Sequence, residues 1–123
     1  MPSASFISLP TGCSNPSIHH HQIARSLKRQ GVALSLWQQT VDPEEGYPQG
    51  IMDQLVEQLR SVDMTIMEVY QDSMLAAVAA GYSAAAGKPL ILLKKHGCNT
   101  LPELEGMANR IIHYDSPEQI RLF

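Results

Sequence analysis

Apolar positions along the chain form short runs that alternate with stretches of helical periodicity. The runs cover residues 5–9, 32–37, 64–70, 89–93 and 110–114, and apolar runs of this length between turn residues predict buried strands. In the segments 15–30 and 51–60, apolar residues recur every three or four positions, which predicts helices. Residues 73–86 are dominated by alanine, which predicts a third helix. Gly31 and Gly87 are the predicted stop signals of the first and third helices. Thr100 to Glu103 has capping-box spacing before a shorter helix, and Ser116-Pro117 opens a last turn or helix.

Alternation of strand and helix at this spacing predicts one α/β domain. Parallel strands with right-handed crossovers place helices on both faces of the sheet, in three layers. We therefore expect a doubly wound, five-stranded parallel sheet with the flavodoxin-like order 2-1-3-4-5. A chain of 123 residues that is 44% hydrophobic has enough apolar surface for one core, so residues 1–123 are expected to form a single domain.

Composition and charge narrow the possible partners. Nine Lys and Arg against twelve Asp and Glu give a net charge of −3, which disfavours binding to polymeric nucleic acid. No apolar run reaches the roughly 18 residues that a membrane span requires, and the start lacks the pattern of a secretory signal. We therefore expect a cytoplasmic protein with no membrane partner. Its two cysteines, Cys13 and Cys98, are expected to be reduced thiols.

Polar residues follow the first and third predicted strands. In a doubly wound sheet, ligands bind beyond the carboxyl ends of the strands where the strand order reverses, which here lies between strands one and three. Gly12, Ser14 and Asn15 follow strand one, and Asp72 and Ser73 follow strand three. Both loops lead into helix N-termini, which favour an anion such as a phosphate. The alternative is that Asn15 and Ser73 serve only as helix caps.

The second half of the sequence carries a more specific pattern. Asp63-Met-Thr-Ile-Met-Glu68-Val-Tyr-Gln-Asp-Ser73 is followed by Gly81-Tyr82 and by Gly87-Lys88-Pro89 before the fourth apolar run. Over about residues 56–114, this pattern resembles the nucleoside 2-deoxyribosyltransferase family, most closely its branch of 2'-deoxynucleoside 5'-phosphate N-hydrolases. The residues that match the family pattern are Asp63, Glu68, Ser73, Gly81, Tyr82, Gly87, Lys88 and Pro89.

The chain departs from this family at the positions that carry its chemistry. The resemblance places the family's nucleophilic glutamate at Ala79 and a glycine near the substrate at Leu75. Leu55 stands where the family's supporting acid is expected, and Asp53 lies two positions away. A methyl group cannot form a covalent glycosyl-enzyme intermediate. The resemblance therefore implies a nucleoside or nucleotide ligand, with Ser73 at its 5'-phosphate, without the family's mechanism.

Two hypotheses follow for the function. The first is a binding protein for a nucleoside or nucleotide that does not cleave N-glycosidic bonds, or a protein-interaction module. The second is an active hydrolase or deoxyribosyltransferase in which another carboxylate replaces the missing one. Asp72 is the better candidate for that role and Glu68 the poorer one. The alternative is that both residues are structural, with Asp72 as a helix cap and Glu68 as a hydrogen-bond acceptor. In either case the resemblance implies no metal and no redox cofactor.

Histidines and cysteines offer weaker candidates. His19, His20 and His21 are adjacent, and neighbours on a helix point about 100° apart, so they are not expected to share a metal ion. His96 and Cys98 follow the fourth strand, where a Cys–His nucleophile pair is conceivable but lacks an orienting third group. Finally, the Ala-rich third helix is apolar almost all round, which favours a homodimer or larger assembly.

Overall fold

A computed structural model of the protein describes residues 3–8, 16–37, 50–69, 74–96 and 102–122. Strands and helices alternate along the chain as the apolar pattern predicts, and the last element is a 3₁₀ turn at Pro117–Gln119. In order, the elements are β1 (Ser3–Ser8), α1 (Pro16–Arg29), β2 (Ala33–Trp37), α2 (Ile51–Arg60), β3 (Met64–Val69), α3 (Met74–Ala85), β4 (Leu90–Lys95), α4 (Pro102–Met107) and β5 (Arg110–Tyr114).

The five strands form one parallel sheet in the order β2-β1-β3-β4-β5. This confirms the predicted α/β class, topology and strand order. β1 lies between β2 and β3, with Phe6 opposite Leu36 on one side and Ile66 on the other. The strand order therefore reverses at β1 and β3, which is where the sequence predicts the ligand.

Helices cover both faces of the sheet, as predicted for three layers. Side chains from α1 and the C-terminal segment pack on one face with a strand cluster that includes Phe6 and Ile66. On the other face, α2, α3 and α4 pack over a second cluster that includes Met67 and Leu92. Neighbouring positions of β3 thus point into opposite cores, which explains its nearly continuous apolar run.

Two strands extend further than the apolar pattern indicates. β4 continues from Leu93 to Lys95, where it pairs with His113 and Tyr114 of β5, and the ammonium group of Lys94 lies 2.6 Å from a carboxylate oxygen of Glu105 on α4. β1 begins at Ser3, which pairs with Ala33 of β2 and whose backbone N–H and hydroxyl both donate hydrogen bonds to Asp63, at 3.1 and 3.0 Å. Backbone pairing thus extends both strands, and polar contacts with distant residues stabilise the added positions.

Helix ends follow the predicted glycine signals. Gly31 and Gly87 adopt positive φ angles of 90° and 70° just after α1 and α3, a backbone conformation that glycine enters without steric cost. None of the helices within the described residues combines the length and the hydrophobicity needed to cross a membrane.

Asp63 provides a test of how the start of β1 is held. The hydrogen bonds from Ser3 lower the pKa of the Asp63 carboxyl, its backbone N–H contributing most and its hydroxyl next. A depressed folded-state pKa stabilises the protein above the unfolded pKa of about 3.9, and that contribution is lost as the pH falls through the folded value. We therefore expect Asp63→Asn to lower the urea midpoint at pH 7 and to match the wild type near pH 2.

Glu57→Gln, on the exposed surface of α2 and outside its first turn, controls for the change in net charge, since its surface pair with Arg60 contributes little. An equal loss of stability for Asp63→Asn at both pH values would contradict this interpretation.

Candidate functional site

The candidate site lies at the carboxyl edge of β1 and β3. The two strands are adjacent, and Ser8 near the end of β1 aligns with Glu68 near the end of β3. The loops that follow, residues 9–15 and 70–73, lie outside the described residues. The predicted ligand residues Gly12, Ser14, Asn15, Asp72 and Ser73 belong to these loops, so their roles stay predictions.

Two helices begin directly after the predicted ligand loops. α1 starts at Pro16 and α3 at Met74, and neither has an acidic residue in its first turn. The first N–H groups of a helix carry partial positive charge, which an acidic side chain in the first turn would offset. The edge between β1 and β3 is thus flanked by helix starts that favour an anion.

The positions where the resemblance places acidic residues are apolar and buried here. Ala79 on α3 is 0% exposed and Leu55 on α2 is 1% exposed. Both side chains belong to the same cluster, together with Met67 of β3. The cluster joins α2, α3 and the sheet, so these two positions contribute to the hydrophobic core.

Glu68 is a buried carboxylate at the candidate edge. Its side chain is 1% exposed, and its Oε1 accepts a hydrogen bond of 2.6 Å from the hydroxyl of Tyr114. Tyr114 is itself fully buried, on the α1 face of the sheet. Because a buried carboxylate requires such donors, this contact favours the structural alternative for Glu68.

Several other residues that carry the resemblance also have structural roles. Lys88 donates hydrogen bonds of 2.7 Å to the carbonyls of Leu59 and Arg60, the last residues of α2. A cation at these carbonyls compensates the negative end of the helix. Together with Asp63 at the start of β1 and Gly87 after α3, Lys88 shows that much of the matching pattern determines the fold.

Tyr82 lies on α3 with its side chain half-buried against the core. The Tyr82 hydroxyl, and next the charge of Glu57, raise the pKa of the Arg60 guanidinium at the end of α2. The guanidinium of Arg60 forms its surface ion pair with Glu57, at 3.4 Å.

The composition of α3 does not reveal the contact that holds it on the sheet. Ser83 and Thr65 are both fully buried, and their hydroxyl oxygens lie 2.9 Å apart in a hydrogen bond between α3 and β3. Since both side chains are polar and buried, each satisfies the other. A polar residue at the inner position of an otherwise Ala-rich helix is the signal that predicts such a partner.

His96, at the carboxyl edge near β4, has a partner that sequence reasoning missed. Its Nδ1 lies 2.6 Å from a carboxylate oxygen of Asp115, which follows β5. The His96 ring also stacks on His113, with ring centroids 5.9 Å apart. Asp115 contacts the His96 ring as an orienting group would in the Cys–His pair that the sequence makes conceivable, but Cys98 lies outside the described residues. The side chains of His96 and Asp115 are 55% and 66% exposed, which makes their pairing weak.

The remaining metal and thiol candidates have no described site. His21 lies exposed on α1. Within the described residues, no three His, Cys, Asp or Glu side chains come together as metal ligands would. Cys13 lies outside the described part of the chain, as Cys98 does.

Solved structures share this fold over nearly their whole length. The chain superposes on a conserved protein from Enterococcus faecalis with a TM-score of 0.68 and 11% identity, covering 93% of this chain and 92% of that one. A 2-deoxyribosyltransferase from Bacillus psychrosaccharolyticus gives a TM-score of 0.67 and 15% identity, covering 97% and 93%. A CMP N-glycosidase from Clostridium botulinum gives 0.61 and 16%, covering 94% and 93%.

The fold is therefore shared with a deoxyribosyltransferase and an N-glycosidase, which confirms the fold that the resemblance predicts. Identities between 11% and 16% establish the fold and do not by themselves assign an activity. No protein-family model and no curated protein sequence matches the chain.

The structural role of Glu68 can be tested through Tyr114. Tyr114→Phe removes the donor to a buried oxygen of Glu68, and leaving a buried acceptor unsatisfied costs about 1–3 kcal/mol. We expect urea unfolding at pH 7 to show a loss of that size. Tyr82→Phe makes the same change at a half-buried position and is expected to stay within about 0.5 kcal/mol of the wild type. Equal losses in the two variants would argue against a structural role for the Glu68 contact.

Proposed function

We propose that this protein is a nucleoside- or nucleotide-binding relative of the deoxyribosyltransferases and N-glycosidases that lacks their glutamate-dependent cleavage of N-glycosidic bonds. The observation that carries the proposal is the shared burial of Leu55 and Ala79 in one apolar cluster. Both positions at which the resemblance places an acid are occupied by side chains without a titratable group.

Glycosyl transfer with a covalent intermediate depends on a carboxylate nucleophile and on a second group that handles the proton. Ala79 supplies neither a nucleophile nor an acid. Because its methyl group packs with Leu55 and Met67, a carboxylate cannot be accommodated there without disturbing the core. Two apolar replacements in contact with the same core are consistent with a site that has lost its reaction rather than one that lacks a single residue.

The ligand class rests on the edge between β1 and β3. Helix starts without acidic residues favour an anion, and Ser73 immediately precedes α3. Two solved structures of the same fold are named for action on CMP or for deoxyribosyl transfer. We infer a small ligand that carries a sugar and a phosphate, bound by Ser73, Asp72, Gly12, Ser14 and Asn15, with no metal or redox cofactor.

An active enzyme is the second candidate. What favours it is Glu68, a buried carboxylate near the end of β3 and opposite Ser8, with Asp72 four residues further along. A displaced acid needs an environment that sets its pKa and a path to substrate. The hydrogen bond from Tyr114 occupies Oε1 of Glu68, so Asp72 stays the stronger candidate for this role.

α3 also supports self-association. Its inner face is buried through Ala79, Ala80 and Ser83, whereas Ala77 and Ala84 are exposed. An exposed face made of alanines allows the backbone of a second helix to approach closely. We infer a homodimer or larger assembly that uses this face.

The function is tested by separating binding from turnover. The four deoxynucleosides and their 5'-monophosphates are offered to the protein, binding is measured by calorimetry and released base by chromatography. We expect a monophosphate to bind, no base to be released, and Ser73→Ala to weaken binding about tenfold, as loss of a hydrogen bond to a charged group does.

Base release that persists in the wild type and is lost in Asp72→Asn would establish the enzymatic candidate instead. Absence of binding by all eight compounds would remove the small-ligand proposal and leave an interaction module.

Ala79→Glu tests whether the position belongs to the core or to a substrate cleft. An unpaired carboxylate in the apolar cluster is expected to lower the free energy of unfolding on the order of 3–5 kcal/mol at pH 7. Burial would raise its pKa, so the loss should be smaller below about pH 4, where the steric cost of the longer side chain remains, and should grow as the pH rises. No base release is expected, because Leu75 still replaces the family's glycine.

Ala77→Glu is the matched control, since Ala77 lies exposed on the same helix, and it should change stability by no more than about 0.5 kcal/mol. Equal tolerance of both substitutions, or activity in Ala79→Glu, would place residue 79 in an open cleft.

A further inference from the structure

A basic groove runs between α1 and the 3₁₀ turn Pro117–Gln119. It encloses about 420 Å³, a volume within the range of small-molecule sites. The residues of α1 that line it recur three or four positions apart and so share one helix face. They are Gln22, Arg25, Ser26 and Arg29, and the C-terminal segment contributes Glu118 and Arg121.

Positive charge dominates this groove, in a chain whose net charge is −3. Arg25, Arg29 and Arg121 line it, with Glu118 as its acidic residue. Its own backbone N–H, and next the Ser116 hydroxyl, lower the pKa of the Glu118 carboxyl. Glu118 and Arg121 do not form an ion pair, and the Arg121 guanidinium donates hydrogen bonds to the backbone carbonyls of Glu118 and Ile120, at 2.8 and 3.3 Å.

Arg25 and Arg29 differ from several other cations of the described chain. Lys88 and Arg110 donate to backbone carbonyls, and Lys94 pairs with Glu105. Within the described residues, the guanidinium groups of Arg25 and Arg29 make no hydrogen bond or ion pair. Because these like charges lie four residues apart, they repel each other along the helix.

The helix dipole does not account for the whole cluster. Lys28 and Arg29 lie in the last turn of α1, where positive charge is favourable. Arg25 lies one turn earlier, where this effect has faded, and Arg121 comes from another segment. Gln30 brings that segment to α1, since its Nε2 donates to the carbonyl of Ile120 at 3.0 Å and its Oε1 accepts from the N–H of Leu122 at 2.7 Å.

We propose that this groove is a binding site for a small phosphate-bearing molecule. Guanidinium groups bind phosphate oxygens through two parallel N–H donors, which suits Arg25 and Arg29. Arg121 adds positive charge, and Gln22 and Ser26 offer polar groups to the rest of the ligand. A bound dianion would also relieve the repulsion between the two arginines of α1.

This groove is separate from the candidate site between β1 and β3. Arg25 and Arg29 lie nine and thirteen residues after the first residue of α1, and a helix rises about 1.5 Å per residue. The arginines are therefore roughly 13–20 Å along the helix from its N-terminus. The inference does not depend on the proposed function.

Inorganic pyrophosphate and ADP are the probes for this groove, measured by calorimetry at constant ionic strength. We expect both to bind the wild type and the double variant Arg25→Gln/Arg29→Gln to bind pyrophosphate at least tenfold more weakly, through loss of charge-assisted hydrogen bonds. Arg60→Gln removes a surface charge from α2 and should change affinity less than twofold. Tighter binding of ADP than of pyrophosphate would identify a phosphate ester rather than free phosphate as the ligand.

Stability measurements give a second readout that a purely structural role would not produce. Without ligand, the double variant should unfold at about the same temperature as the wild type, because losing the repulsion between the two arginines offsets losing the favourable charge of Arg29 in the last turn of α1. With pyrophosphate, only the wild type should gain stability.

Lack of pyrophosphate binding to the wild type, or equal weakening by Arg60→Gln, would overturn the inference. Pyrophosphate binding that survives in the double variant and is lost in Ser73→Ala would assign the ligand to the edge between β1 and β3, which refutes this groove and leaves the proposed function intact.

Discussion

The close packing of α3 against the sheet is the constraint on which the rest of the structure depends. Small side chains, Ala79 and Ala80, form its inner face, and the Ser83–Thr65 hydrogen bond holds it on β3. Small residues allow the helix to pack closely on the strands. A longer side chain at position 79, a carboxylate included, would therefore have to displace this packing.

This constraint explains how the chain resembles an enzyme family without the acids at its centre. Asp63, Gly87 and Lys88 hold the start of β1 and the ends of α3 and α2, and these roles do not depend on any reaction. Residues that determine a fold persist as long as the fold does, whereas a nucleophile persists only with its substrate chemistry. A sequence match that consists of fold-determining residues predicts the fold more firmly than the activity. The structural neighbours agree with this, since they share the fold at only 11–16% identity.

Sequence patterns predict the parts of this fold that depend on local hydrophobicity and on turns. The order of elements and the glycine ends of α1 and α3 follow from such signals, and the strand order follows from the alternation. The sequence does not predict the pairs Lys94–Glu105 and His96–Asp115. Each pair joins two different elements, and none of the four residues lies in a distinctive local pattern. The same limit applies to the candidate site. The topology predicts its place, at the edge between β1 and β3. The positions of the loop side chains depend on tertiary contacts, which local sequence patterns do not predict.

The basic groove shows how tertiary contacts create chemistry that composition conceals. Along the chain, Lys28-Arg29 is a minor cluster and Arg121 is an isolated residue near the end. Gln30 joins them, since its side-chain amide bonds the backbone of the C-terminal segment on both its donor and acceptor sides. An exposed side-chain amide would gain little from such hydrogen bonds, whereas a half-buried amide needs partners for both its N–H donors and its carbonyl acceptor. The segment is thus fixed by backbone contacts, which leaves the guanidinium of Arg121 beside those of α1. A net charge of −3 describes the whole surface and conceals this local excess of positive charge.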